Sequence, residues 1–168
     1  AKQMGCRVVG SVGSDEKAQW LKRDCGVDEV INYKTCGDLT KALSDAAPDG
    51  IDVYFENVGG DHLQAALNVM NHFGRIVACG MIGTYNNAEP KPGPNNLMLI
   101  VGKKVRINGF IVFDHNDMRS RFLSDMESWI KNENLVVRET IVEGLENSVD
   151  AFLALFSGKN FGKMIVKL

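Results

Sequence analysis

The residues of this sequence that could do chemistry sit where short apolar runs stop. Five such runs end in small or polar residues: Gly10-Ser11, Asn32-Tyr33, Asn57-Val58-Gly59-Gly60, Gly80 and Phe110-Ile111-Val112. Glycine lets a ligand come close to the backbone, and Ser, Asn and Tyr offer hydrogen-bonding groups beside it. If the runs are parallel strands, their ends share one edge, which is where open α/β sheets bind ligands. A single glycine there is ordinary turn chemistry; the whole set points to a nucleotide site. The G-x-G-x-x-G fingerprint is absent, and the nearest match is Gly10-Ser11-Val12-Gly13. A second strand that binds the ribose hydroxyls of NAD ends in an acidic residue. Here the position reads Gly10-Ser11 with Lys17 shortly after, which suits the extra 2′-phosphate of NADP. Taken alone, Lys17 also reads as a solvated helix lysine.

The elements that must position these residues follow from patterning. Cys6–Gly10 reads as a buried parallel strand, and a helix starts at the N-cap Ser14 and stops at Gly26. Strands are predicted over Glu29–Tyr33, Ile51–Glu56, Arg75–Cys79 and Val105–Val112. A helix is predicted over Leu39–Ala46, and Pro48-Asp49-Gly50 is a turn. The next helix carries Leu63, Ala66, Leu67 and Met70 at i, i+3, i+4, i+7. Proline spacing makes Tyr85–Asn96 a loop. A helix over Asn116–Lys131 is expected to bury Met118, Phe122, Met126 and Trp129 or Ile130. The tail reads as strand Val136–Val142, helix Leu145–Phe156 and strand Gly162–Leu168. The alternation predicts an α/β, doubly wound, Rossmann-like parallel sheet.

Composition narrows the class. The 168 residues carry 19 Lys+Arg against 21 Asp+Glu, a net charge of −2, with 45% hydrophobic residues. That is globular composition, with no electrostatic case for nucleic acid or an anionic membrane and no apolar run near the roughly 20 residues of a membrane span. The four cysteines, Cys6, Cys25, Cys36 and Cys79, form no C-x-x-C pair and have no histidine at ligand spacing, so no metal site is expected. Cys6 and Cys79 lie in apolar runs and are expected to be buried. Free thiols suit a reducing compartment, and the expected location is cytoplasmic. The histidines His62, His72 and His115 fit no triad and read as surface or helix-end residues.

Several stretches together carry a resemblance. They are Gly13-Ser14-Asp15-Glu16-Lys17, Ile31-Asn32-Tyr33-Lys34, Phe55 to Gly60, Cys79 to Asn86, and Gly158 to Lys163, in that order. In this the chain resembles the cofactor-binding part of a zinc-free medium-chain dehydrogenase/reductase. The nearer likeness is to the group of prostaglandin reductases (leukotriene 12-hydroxydehydrogenases), plant alkenal double-bond reductases and bacterial curcumin reductases. The resemblance covers essentially the whole sequence. It implies reduction of the C=C bond of α,β-unsaturated ketones and aldehydes, with hydride moving from NADPH to the β-carbon.

The resemblance also implies roles. Lys17 and Tyr33 would hold the 2′-phosphate, and Asn57 the ribose-phosphate region. Cys79, Gly80, Met81, Ile82, Gly83, Thr84 and Tyr85 would run beneath the pyrophosphate and nicotinamide ribose. Phe110, Ile111 and Val112 would line the nicotinamide pocket, and Asn160 would reach the cofactor from the closing segment. Tyr85 is the candidate catalytic residue, its phenol bonding or protonating a developing enolate; its other reading is a loop anchor.

By the same resemblance, residues 1–135 are part of an NADP-binding domain and residues 136–168 a segment returning to the catalytic domain. Ala1–Gly5 reads as the last turn of a helix. The central strand, the glycine-rich phosphate loop and most of the catalytic domain are expected to lie outside the sequence, leaving two part-sheets and a chain inactive by itself. A homodimer is expected through the edge strand Val105–Val112. The alternatives are a quinone oxidoreductase of the neighbouring branch and a non-catalytic nucleotide-binding or structural module.

Overall fold

The computed structural model describes residues 1–89, 91–132 and 135–168. Pro90 of the predicted loop, and residues 133 and 134 beside the predicted boundary at 135, lie outside the described residues. In chain order the elements are β1 (Val9–Val12), α1 (Asp15–Arg23), β2 (Glu29–Asn32), α2 (Leu39–Ala46), β3 (Ile51–Glu56), α3 (Gly60–Val69) and β4 (Met70–Ala78). Then come α4 (Met98–Lys103), β5 (Arg106–Gly109), α5 (Arg119–Lys131), β6 (Glu139–Glu143), α6 (Ser148–Phe156) and β7 (Lys163–Lys167). The chain has an α/β, Rossmann-like fold. It divides into two compact units, Ala1–Val30 with Phe122–Leu168, and Ile31–Arg121.

The second unit is built on a parallel three-stranded sheet in the order β3-β4-β5. Its register pairs Glu56 with Ala78 and Ala78 with Gly109, so the three carboxyl ends fall on one line. The periodic face of α3 covers this sheet. Leu63, Leu67 and Met70 pack with Ile76 and Val105, with Ile51, Tyr54, Leu99 and Ile100 around them. Leu63 and Leu67 are therefore core, as their spacing predicts, while Met70, expected as the next position on that helix face, is instead the first residue of β4 and is buried from there. On the open side of β3, Val53 and Phe55 stay 50% and 58% exposed.

In the first unit, Ser14 accepts the Lys17 backbone N–H at 3.3 Å and caps α1, with Asp15 and Glu16 in the first turn. The opening residues form a 3-10 turn, Lys2–Met4, closed by Gly5 at φ 80°. Asp28 ties this start down, taking the Lys2 ammonium at 2.9 Å and the Val8 N–H at 2.7 Å. Strands β6 and β7 pair in parallel, Glu139 opposite Lys163 through Glu143 opposite Lys167. Strands β1 and β2 form a two-stranded sheet, the division between units falling inside β2.

Several sequence expectations are corrected. Gly10 and Ser11 lie inside β1 rather than at its end. A Cβ at Gly10 would stand 3.5 Å from Leu21 and 3.6 Å from Val27, ordinary contact distances, so this glycine sits in a packed strand and does not make a turn. The strand expected over Val105–Val112 is only Arg106–Gly109, because Asp114 folds the chain after it. The Ile111 N–H donates to Asp114 Oδ2 at 3.3 Å, the Asp114 N–H donates to the Ile111 carbonyl at 2.9 Å, and Val112–Met118 becomes a 3-10 turn. Helix α5 consequently starts at Arg119, and Met118, Phe122 and Ile130 are exposed with no described element over them. Met126 and Trp129 are half-buried. Cys6 and Cys79 are exposed, against the expectation of buried thiols.

Candidate functional site

Three of the five strand ends come together in the second unit, at the carboxyl edge of β3-β4-β5. The end of β3 is organised by Glu56, whose side chain is fully buried. Its Oε1 accepts the backbone N–H groups of Val58 (2.6 Å) and Gly59 (2.7 Å), while Oε2 is buried without a hydrogen-bond partner. A carboxylate at the end of an apolar strand thus fixes the turn that carries Asn57 and starts α3. Gly59 stands at φ 78°, and a Cβ there would meet the Met81 Cβ at 3.0 Å, so the turn requires glycine. Burial, and next the Glu56 charge, push the Tyr54 hydroxyl well above the usual tyrosine range, so Tyr54 stays neutral.

Glu56→Ala strands one buried N–H donor, of Gly59, and one half-buried, of Val58, and mutational costs of buried donors are about 1–3 kcal/mol each. The expected result is a loss of about 2–4 kcal/mol in unfolding free energy, with Glu56→Gln less damaging. Denaturant midpoints at unchanged slope check this.

The turn after β4 docks on the turn after β3. The Ile82 and Gly83 N–H groups donate to the Asn57 and Val58 carbonyls at 3.1 and 2.9 Å, and Cys79 N–H to Glu56 O at 2.8 Å. Ile82, Gly83 and Thr84 form a 3-10 turn, closed by Thr84 Oγ1 donating to the Met81 carbonyl at 2.8 Å. A Cβ on Gly83 would lie 2.8 Å from the Val58 carbonyl oxygen. Above these turns two oxygens converge on the bare backbone of Gly80. A Cβ there would lie 2.8 Å from Asn57 Oδ1 and 2.9 Å from the Tyr85 hydroxyl. Tyr85 Oη accepts the Met81 N–H at 3.1 Å.

Beside this cradle lies an open hollow of about 510 Å³, lined by Ala78, Cys79, Gly80, Met81, Tyr85, Gly109, Phe110, Ile111 and Asp114. Of the predicted site residues, it gathers Cys79, Gly80, Met81, Tyr85, Phe110 and Ile111. Asn57 joins them through Gly80. Val112 opens the next turn and is 66% exposed. The glycine floor, the apolar flank of Phe110 and Ile111, and the hydrogen-bonding groups of Tyr85 and Asn57 fit a nicotinamide nucleotide.

The other candidates stand elsewhere. Tyr33 is the first residue after β2, 42% exposed, its ring edge-to-face with His62 at 5.0 Å. Lys17 and Asn160 belong to the first unit. The Lys17 ammonium donates to the Gly158 carbonyl at 2.7 Å, and Asn160 Nδ2 to the Gly162 carbonyl at 2.8 Å. The loop they share is clipped by Phe161. That ring meets Trp20 at 5.2 Å and lies under the Arg138 guanidinium at 3.6 Å, and its N–H donates to Thr140 Oγ1 at 2.8 Å.

Sequence reasoning missed Asp114, Glu56 as an organiser, and the Phe161 clip. The only signals were an acidic residue three positions past Ile111 and a lone carboxylate closing an apolar strand.

Residues 1–128 match the zinc-binding dehydrogenase family. The fold and this match together show that the chain belongs to that family. The family's name implies zinc, and the residues do not fit it: among the described residues no group of three or more His, Cys, Asp or Glu could hold a metal ion. No step is therefore drawn through a metal.

The resemblance to the alkenal and prostaglandin reductases is borne out. The chain is 46% identical to the NADP(+)-dependent 2-alkenal reductase of Nicotiana tabacum, over 99% of this chain and 48% of that one. It is 44% identical to prostaglandin reductase 1 of Bos taurus, over 99% and 51%. Among solved structures, CurA of Vibrio vulnificus in complex with NADPH is 40% identical with a TM-score of 0.91, over 99% of this chain and 50% of that one. The chain spans about half the length of the curated relatives it matches. Among the described residues no helix is long and apolar enough to cross a membrane.

Proposed function

We propose that this chain is the coenzyme-holding part of an NADPH-dependent reductase that saturates the C=C bond of α,β-unsaturated ketones and aldehydes. The observation that carries the reading is identity above 40% along the chain to both a 2-alkenal reductase and a prostaglandin reductase. The cradle at Gly80 supports it, since it offers hydrogen-bonding groups over bare backbone beside an apolar flank.

NADPH, when bound, supplies the hydride. The residues of the chain hold and orient it. Lys17 in the first unit offers a cation for the 2′-phosphate and Tyr33 in the second a hydroxyl for it, and each role favours NADPH over NADH. Asn57 and the 79–84 segment hold the ribose-phosphate region against glycine backbone. Phe110, Ile111 and Val112 take the nicotinamide, and Asn160 contacts the coenzyme from the closing segment. Tyr85 accepts the Met81 N–H and so keeps its own proton to donate. Directed at the substrate oxygen, that proton stabilises the developing enolate. No metal takes part. The protein is cytoplasmic and a homodimer, joined along the outer edge of β5, where all four residues are exposed.

The test is coenzyme consumption by the natural-length polypeptide that carries this chain. With NADPH, oxidation should follow addition of an enone or enal, and should be much slower with NADH. Consumption with quinones alone, or with neither class, contradicts the reading.

A further inference from the structure

Tyr33 is fixed in backbone but not, by those bonds, in ring. Asn32 closes the turn around it: its carbonyl accepts the Thr35 and Cys36 N–H groups at 3.1 and 3.0 Å, and its Oδ1 the Lys34 N–H at 3.2 Å. None of these bonds sets the orientation of a ring that is 42% exposed. His62 meets that ring edge-to-face, with centroids 5.0 Å apart and planes at 76°. This is the favoured geometry of an aromatic pair, attractive beyond the area it buries.

His62 is itself well placed to serve as a support. It lies half-buried in the first turn of α3, with its backbone N–H donating to the Gly59 carbonyl at 3.2 Å. Gly59 in turn is held by the buried Glu56 carboxylate. The contact to Tyr33 is thereby referred to the turn that the Glu56 carboxylate bonds at Val58 and Gly59. Burial lowers the His62 pKa, with Glu56 and Asp61 opposing, so the ring is neutral at neutral pH. It acts on Tyr33 as an aromatic surface and adds no second cation for a phosphate.

We infer that His62 is a positioning residue for coenzyme choice: by bracing the Tyr33 ring it helps direct the Tyr33 hydroxyl to the 2′-phosphate, and so favours NADPH over NADH. The inference rests on the coenzyme reading above.

The experiment measures dissociation constants for NADPH and NADH, by calorimetry, on the natural-length polypeptide and its His62→Ala, His62→Phe and Tyr33→Phe variants. His62→Ala should weaken NADPH binding about 3- to 10-fold, leave NADH binding within about 2-fold, and be rescued by His62→Phe, which restores a ring edge. Should His62→Ala not fold, His62→Leu, which keeps volume without a ring, takes its place. Equal losses for the two coenzymes, or none, overturn the inference. If the unaltered protein prefers NADPH and Tyr33→Phe erodes that preference while His62→Ala does not, only the role of His62 fails. If the unaltered protein shows no preference, the coenzyme reading fails and the inference with it.

Discussion

Lys17→Ala is expected to weaken NADPH binding roughly 10- to 100-fold while leaving NADH binding nearly unchanged. A hydrogen bond to a charged group contributes about 1.5–3 kcal/mol, and each 1.4 kcal/mol is a factor of ten. NADH lacks the 2′-phosphate, so it has nothing to lose. The lysine is pre-positioned. Its backbone N–H is tied to the Ser14 cap, and its ammonium is steered by the Gly158 carbonyl, which uses one of three N–H donors and leaves two for a phosphate. Loss of the Gly158 contact is a second consequence of the substitution, and Lys17→Arg separates the two. Arginine keeps the charge and should recover most of the NADPH affinity. Equal losses for NADPH and NADH would return Lys17 to the role of a helix lysine that tethers the 158–162 loop.

Tyr85→Phe should lower kcat about 10- to 100-fold and raise KM for the enone by much less. Removing one donor to a developing oxyanion costs on this order, and positioned acid catalysis contributes about 10²–10⁴-fold. The phenol is 62% exposed at the hollow and accepts one backbone N–H at 3.1 Å. Phenylalanine preserves the ring but frees the Met81 N–H. A loop-anchoring tyrosine would show itself as a fall in stability and coenzyme affinity with kcat intact. A donor to the transition state would show the reverse pattern, with kcat and kcat/KM falling together. The pH profile adds a check, because Tyr85→Phe should remove any limb that reports the proton donor.

Much of the second unit was legible in the sequence because its signals are local. Leu63, Ala66 and Leu67 of α3 are buried as their period requires, Met70 is buried as the first residue of β4, and β3 ends where Asn57-Val58-Gly59-Gly60 begins. The alternation of strand and helix also placed three strand ends on one edge. What failed depends on contacts that no local pattern carries. Gly10 resembled a strand terminus and instead lies inside β1, beside Leu21 and Val27. The apolar run Val105–Val112 continues in composition, but Asp114 captures the Ile111 N–H and ends the strand at Gly109. Helix α4, six residues long beside a loop rich in Pro and Asn, is too short for periodicity to reveal. The apolar stripe of α5 is real, yet Phe122 and Ile130 stay exposed, since patterning says which face could be buried and not what covers it. Candidate residues followed the same division: those on the turns after β3 and β4 were legible as neighbours, while Glu56 and His62, whose contacts run to other elements, were not.

The central claim is hydride delivery from NADPH to the β-carbon of an enone. The direct measurement is reduction of a simple α,β-unsaturated ketone by the natural-length polypeptide, using NADPH deuterated at the reactive carbon of its nicotinamide ring. The account predicts the saturated ketone, with the C=O intact and one deuterium at the β-carbon. An allylic alcohol, deuterium at the carbonyl carbon, or no labelled product would contradict it.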